Sequence, residues 1–182
     1  MYEIWAINPD GSGLEQLTYS APALEPAWSP DGKRLAYSNV GVNAFIMEVG
    51  KPWKEQSPQP LPPLSEPKMS FVAWSWSSDG RMLAGYQQRQ DGSEAGIAVC
   101  SLESRKIEKL TEHGNNPTWL KDNRRLLFSM RGKLQLLDTQ SRKITEASPE
   151  GLAGAVSLSP DNRAIYLSRA HNEADVWLLS LE

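Results

Sequence analysis

Cysteine and histidine are nearly absent: the 182 residues include one Cys, Cys100, and two His, His113 and His171. A single thiol excludes an internal disulfide framework and any zinc cluster built on cysteine. Two imidazoles leave little for metal or proton chemistry. No apolar run approaches the roughly 18 residues of a membrane-crossing helix. Neither sign of charge is in excess, since 19 basic and 22 acidic side chains are interspersed for a net charge of −3. That balance leaves no electrostatic footprint for nucleic acid. The start, MYEIWAINPD, has neither a basic n-region nor an apolar h-region, so no signal peptide is read in the chain as written. Sustained helical periodicity is missing too. Residues 103–112 come nearest, but they align with strand pairs elsewhere in the chain.

What is plentiful is tryptophan, with seven, and turn formers, with 13 Gly and 13 Pro. Four stretches resemble one another: WSPDGKRLAYS at 28–38, WSSDGRMLAGY at 76–86, WLKDNRRLLFS at 119–129 and LSPDNRAIYLS at 158–168. Their aspartates, Asp31, Asp79, Asp122 and Asp161, fall 48, 43 and 39 residues apart. A period near 40–45 with turn signals indicates a repeated supersecondary unit.

Each copy reads as a hairpin. Ser29-Pro30-Asp31-Gly32 suits a type I turn, with Pro setting φ at the second position. The residue after each Asp is Gly32, Gly80, Asn123 or Asn162, the two types that enter the left-handed region most cheaply. Trp28, Trp76, Trp119 and Leu158 precede the turns in one register and are expected to form the blade core. A short strand follows each turn, with Leu35, Leu83, Leu126 and Ile165 four residues past the Asp. Further strand pairs are expected between the hairpins, at 97–102 with 106–111 and at 134–138 with 143–146. Another, 4–7 with 14–18, is expected near the N-terminus. In the first repeat, the strand at 45–49 loses its partner to a Pro-rich insert, 51–67, which holds six of the 13 prolines. There 61–64 is the expected outer strand, and Trp53 with that strand reads either as a docking segment or as decoration tucked against the blade.

Four-stranded units of this period imply an all-β fold, a β-propeller of four-stranded antiparallel blades. The string IWAINPDGSGLEQLT…EPAWSPDGKRLAYSN resembles the TolB-like, WD-repeat-like propeller family. The motif elements are Asp10-Gly11-Ser12, Leu17-Thr18 and Pro26-Ala27-Trp28-Ser29-Pro30-Asp31-Gly32, with Leu110-Thr111 and Pro117-Thr118-Trp119 repeating them. Gly85 departs by standing where an aromatic is expected, with Tyr86 one place on as the expected compensation. The resemblance is specific for fold and weak for function. It implies a non-catalytic module for protein or macromolecule binding, as in TolB-like propellers or the C-terminal sensor or scaffold propeller of bacterial serine/threonine kinases. It also implies a periplasmic or extracytoplasmic setting for the parent protein. The alternative is the gating propeller of a prolyl-oligopeptidase-like serine hydrolase, and a propeller lyase using His and metal is a remote third.

About four blades are expected: a partial blade at 1–18, blades at about 25–64, 71–111 and 116–147, and a last blade at 153–181. That is one strand more than four complete blades hold, so we read the chain as the C-terminal part of a larger propeller. Such an open arc is expected to self-associate through unpaired edges.

No catalytic constellation, metal site or cofactor motif is read: there is no Gly-x-Ser-x-Gly elbow, no His-Glu-x-x-His and no phosphate loop. The repeated Asp residues read as turn formers, and Asp10-Gly11-Ser12-Gly13 lacks the acids of a calcium loop. Alternating connections share one end of a propeller. One end therefore gathers Arg89, Asp91, Glu94, His113, Asn115, Arg131, Arg169 and His171, as a binding face or as ordinary solvated loops. A protein partner is expected, and neither nucleic acid nor membrane insertion is.

Overall fold

A computed structural model describes residues 2–19, 22–39, 43–147, 156–159 and 162–167. Asp161, Arg169, His171 and most of the expected last blade lie outside these residues. The described residues are all-β. Three four-stranded antiparallel sheets follow one another, each ordered along the chain as a meander. Blade 1 is β3 (Leu24–Trp28), β4 (Arg34–Asn39), β5 (Asn43–Glu48) and β6 (Gln59–Pro60). Blade 2 is β7 (Met69–Trp76), β8 (Met82–Arg89), β9 (Glu94–Ser101) and β10 (Lys106–Lys109). Blade 3 is β11 (Asn115–Trp119), β12 (Arg125–Met130), β13 (Lys133–Asp138) and β14 (Ile144–Glu146). A pair β1 (Trp5–Ala6) and β2 (Glu15–Gln16) precedes them, and a pair β15 (Ser157–Leu158) and β16 (Ile165–Tyr166) follows. Residues 103–112 carry β10, so the strand reading holds there.

The turns between the first two strands of each blade explain the repeated Asp. Asp31 Oδ1 accepts from Ser29 Oγ at 2.5 Å and from the Lys33 amide at 3.1 Å. Asp79 repeats this with Ser77 Oγ at 2.6 Å and the Arg81 amide at 3.0 Å. In blade 3, Leu120 replaces that serine, and Asp122 Oδ1 takes both the Arg124 and Arg125 amides, at 3.0 and 2.9 Å. The following residue is left-handed in all four copies, with φ of 69° at Gly32, 68° at Gly80, 53° at Asn123 and 58° at Asn162.

These carboxylates titrate low. Hydrogen bonds from Ser29 and Ser77 hold Asp31 and Asp79 below their ordinary value of 3.8. Desolvation works to raise Asp122, and the bonds from Arg125 and Arg124 outweigh it. A carboxyl depressed in the folded state stabilises fully above its unfolded pKa and loses that contribution as pH falls through the folded value. The urea midpoint should therefore hold from pH 7 to 5 and fall below about pH 4. The pair Asp31→Asn with Asp79→Asn should flatten that acid limb, and an unchanged limb would show that the turns do not govern it.

The Leu-Thr motif closes the outer edge of the β1–β2 pair and of blade 2. Leu17 and Leu110 donate their amides to the carbonyls of Ile4 and Ile97, both at 2.8 Å. The hydroxyls of Thr18 and Thr111 then accept from the amides of those isoleucines, at 2.8 and 2.9 Å. Leu61 takes the same place in blade 1, donating to Ala44 at 2.9 Å, and is buried. The outer strand of blade 1 is therefore Gln59–Pro60 running into Leu61, rather than 61–64. Beyond Leu61, Pro62 and Pro63 cannot donate to a ladder.

The apolar core lies in the seams between blades. Ala27, Ala36, Ala44 and Leu61 of blade 1 meet Phe71, Ala73, Trp76, Leu83 and Cys100 of blade 2. Ala84, Ile97 and Val99 of blade 2 meet Trp119, Leu126, Phe128 and Leu137 of blade 3. Trp76 Nε1 donates to the Ala27 carbonyl at 2.9 Å, and the Arg34 guanidinium lies 4.7 Å from its ring centroid. Trp119 is as well buried, though its Nε1 finds no partner. Leu158 is partly buried beside Leu127, Leu134 and Val156.

Trp28 departs from the blade-core expectation, being 50% exposed. A tryptophan in this slot is covered by the inner two strands of the preceding blade, as Trp76 is by Ala27 and Arg34. The pair before blade 1, β1 and β2, packs through Ile4 and Leu17 on Leu35, Tyr37 and Met47 instead. Gly85 also needs a different account. A β-carbon there would stand 2.1 Å from the Val72 carbonyl oxygen and 2.7 Å from the Phe71 ring, so Phe71 fills the aromatic place. Tyr86 cannot, because successive strand residues point to opposite faces. It packs on Trp74 instead, with ring centroids 6.3 Å apart.

Cys100 is fully buried in the first seam, and burial pushes its thiol up to about 11, with Arg105 opposing. Thiolate is the reactive form. At pH 8 the native protein should leave a chromogenic disulfide reagent unreacted for minutes while the urea-unfolded chain reacts at once. Fast labelling of native protein would contradict this burial.

Candidate functional site

Antiparallel meanders place the second-to-third and fourth-to-next connections of every blade at one end. In blades 2 and 3 those segments are 90–93, 110–114 and 131–132. The last two border an open hollow of about 380 Å³ lined by Glu94, His113, Asn115, Asn116, Ser129 and Arg131. Two left-handed glycines shape it. Gly114 has φ 108°, and a β-carbon there would meet the Phe128 ring at 2.6 Å. Gly96 has φ 104°, and a β-carbon would stand 1.9 Å from the Thr111 carbonyl oxygen. Only glycine lets the 110–114 connection lie this close to β9.

The polar groups in the hollow are incompletely matched. Asn115 Nδ2 donates to Glu94 Oε1, while Asn115 Oδ1 is buried with no partner. An orphaned buried acceptor costs about 1–3 kcal/mol. Among the described residues, neither the Arg131 guanidinium nor the His113 ring has a hydrogen-bond partner. Arg131 sits at φ 53° in the tight turn into β13. Of the residues read from the sequence, His113, Asn115 and Arg131 thus converge, with Glu94. Arg89 and Asp91 act on their own hairpin instead. Arg89 Nη1 donates to the Glu94 carbonyl at 2.9 Å, and Asp91 Oδ1 accepts from the Ser93 amide at 2.8 Å. Hydrogen bonds from Ser93 also hold the Asp91 carboxyl low.

A second group lies nearer the inner strands and is not marked by any loop motif. β3, β7 and β11, the first strand of each blade, all carry a bulge. Bulging puts Glu25 and Asn116 at φ 53° and 52°, each just before a proline. Among the described residues the Glu25 carboxyl has no hydrogen-bond or ion-pair partner, and burial raises its pKa. The Tyr86 hydroxyl is pushed up to about 12 by burial and by the charges of Glu25 and Glu94, so it stays a neutral phenol. Glu25 and Glu94, on different blades, therefore act on one ring. Glu25-Pro26-Ala27-Trp28 and Asn116-Pro117-Thr118-Trp119 are the repeated signal that marks the bulge in sequence.

Among the described residues no group of three or more His, Cys, Asp or Glu is placed to hold a metal. On the opposite end, Gln56 Nε2 ties the 49–58 connection to the carbonyls of Glu48 and Lys51, at 2.7 and 2.8 Å. This strap covers a cleft of about 390 Å³ that reaches Arg34, Cys100 and Arg105.

No family model and no curated protein sequence matches the chain. Solved structures do. An oligogalacturonate lyase from Vibrio parahaemolyticus is 14% identical with a TM-score of 0.66, over 90% of this chain and 51% of that one. The β-propeller domain of Cps50 (Swd1) from Myceliophteria thermophila is 13% identical with a TM-score of 0.59, over 90% and 58%. A puromycin-hydrolyzing peptidase from Mycobacterium tuberculosis is 17% identical with a TM-score of 0.54, over 78% and 23%. The chain thus spans about half of the lyase and of the Cps50 domain. At such identities the likeness establishes the fold, a β-propeller.

Proposed function

We propose that this chain is a non-catalytic propeller module that binds a protein or other macromolecule through the end carrying His113, Asn115 and Arg131. The observation behind this reading is the buried Asn115 Oδ1, left without a donor beside the uncommitted guanidinium of Arg131. Groups left unmatched on rigidly held loops are what a ligand matches. The one carboxylate in the hollow, Glu94, is already held by Asn115. The role is similar to that of TolB-like propellers or of kinase-tail sensor propellers.

Arg131→Glu and Asn115→Leu should each weaken partner capture from source cells at least about tenfold, as truncating a central hot spot does. Lys54→Glu, in the strap at the other end, should leave capture unchanged. Equal capture by all of these variants would contradict the assignment. A peptidase among the similar structures favours one rival reading, the gating propeller of a serine hydrolase. A hydrolase domain on the same polypeptide, with peptidase activity that falls when this propeller is destabilised, would select that rival.

A further inference from the structure

Outside that end of the molecule, the seam between blades 1 and 2 opens into a hollow of about 410 Å³ on its outer side. One wall is the connection after β6, with Pro62, Pro63 and Leu64, and the other is β10, with Lys106 and Lys109, together with Arg105 in the turn before it. Gln87, on β8 beyond Phe71, also lines it. Gln87 is only 7% exposed, yet its carboxamide makes no hydrogen bond, and Oε1 is a buried acceptor without a donor. Across the strands it is paired with Phe71, which is completely buried. A carboxamide oxygen held unmatched in such a place is costly unless something supplies it a donor.

The charges beside it are one-sided. Lys106 makes no ion pair among the described residues. Arg105 donates only to the Pro60 carbonyl, at 3.0 Å, which leaves most of its donors open. Lys109 pairs at 2.6 Å with Glu112, whose side chain is 78% exposed, so the pair is readily exchanged. Glu66 is the only acid lining the hollow.

We propose that this seam is a second binding site, for an acidic peptide segment. A backbone N–H of the peptide supplies the donor that Gln87 Oε1 lacks, and a neighbouring carboxylate meets Lys106 and Arg105. Pro62, Leu64 and Ile107 form the apolar wall against which the segment lies. A free inorganic anion would satisfy the cations but leave the Gln87 acceptor unmatched, which is why a peptide is the better occupant.

The test is fluorescence anisotropy on the full chain, with a fluorescein-labelled peptide carrying an Asp-Glu-Asp-Glu centre between Gly-Ser flanks. The control peptide carries Asn-Gln-Asn-Gln in the same frame. The acidic peptide should bind and the neutral one should bind at least about tenfold more weakly. Lys106→Glu should weaken the acidic peptide by at least about tenfold, and Gln87→Leu by at least about fivefold. Gln87→Leu should keep the wild-type melting curve, because removing an orphaned amide leaves no new unmatched group. Should that variant misfold, the Gln87 side-chain amide resonance in wild type gives the same information, and it should shift on adding the acidic peptide. Arg131→Glu should leave the affinity within about twofold, keeping this site apart from the one proposed above. Equal binding of the two peptides, or unchanged affinity in Lys106→Glu, overturns the proposal. A loss in Arg131→Glu overturns its placement at this seam.

Discussion

Trp76→Ala should lower the unfolding free energy by about 3–5 kcal/mol, and Trp28→Ala by less than about 1 kcal/mol. The two tryptophans occupy the same slot of the same repeat, so local sequence gives no reason for a difference. What differs is the cover. Trp76 is 7% exposed, donates to the Ala27 carbonyl and carries the Arg34 guanidinium over its ring. Truncation would open a cavity in the first seam and strand the Ala27 carbonyl. Trp28 is 50% exposed, so most of what alanine removes is already in contact with water. Urea unfolding of both variants measures the contrast directly. Equal losses would mean that Trp28 is covered in solution, by a second copy of the chain or by further blades, and the concentration dependence of its stability would separate these.

Gly96→Ala should be about as damaging, by several kcal/mol, because two penalties coincide. The residue sits at φ 104°, where side chains are strained, and its β-carbon would fall 1.9 Å from a backbone oxygen that cannot rotate away. The 110–114 connection would have to move, breaking the bonds from Leu110 and Thr111 to Ile97 and displacing His113 and Asn115. Thermal unfolding should show the stability loss. Any folded fraction should show altered amide shifts for residues 111–115 while the turns at 31 and 79 keep theirs. An Ala variant as stable as wild type would mean that the close approach of β9 and this connection does not exist in solution.

The repeat was legible because it rests on local chemistry. A turn that needs a left-handed residue after Asp advertises itself through Gly32, Gly80, Asn123 and Asn162. The buried middle strands read as short apolar runs for a similar reason, being covered on both faces. The Leu-Thr pair was visible as a motif, but its bond to the start of the neighbouring strand was not. What escaped the sequence depends on which elements meet in space. Trp28 is distinguished from Trp76 only by its neighbours, and the place left at Gly85 is filled by Phe71 from the adjacent strand. In the Pro-rich stretch, prolines on both sides of Leu61 blurred the end of the outer strand by two residues. His113, Asn115 and Arg131 were found because alternating connections share an end. Glu25, Tyr86 and Gln87 were not: the repeated x-Pro-x-Trp signal marks the bulge, but not which side chains the bulges and seams bring together.

The most direct test of the binding assignment is site-specific photo-crosslinking in the source cells, with the crosslinker placed at residue 112, exposed on the 110–114 connection beside the hollow, and, separately, at residue 54. Discrete crosslinked partners are expected from position 112 that disappear when Arg131→Glu or Asn115→Leu is added, and none shared with position 54. Crosslinks confined to position 54, or a position-112 pattern untouched by Arg131→Glu and Asn115→Leu, would contradict the assignment.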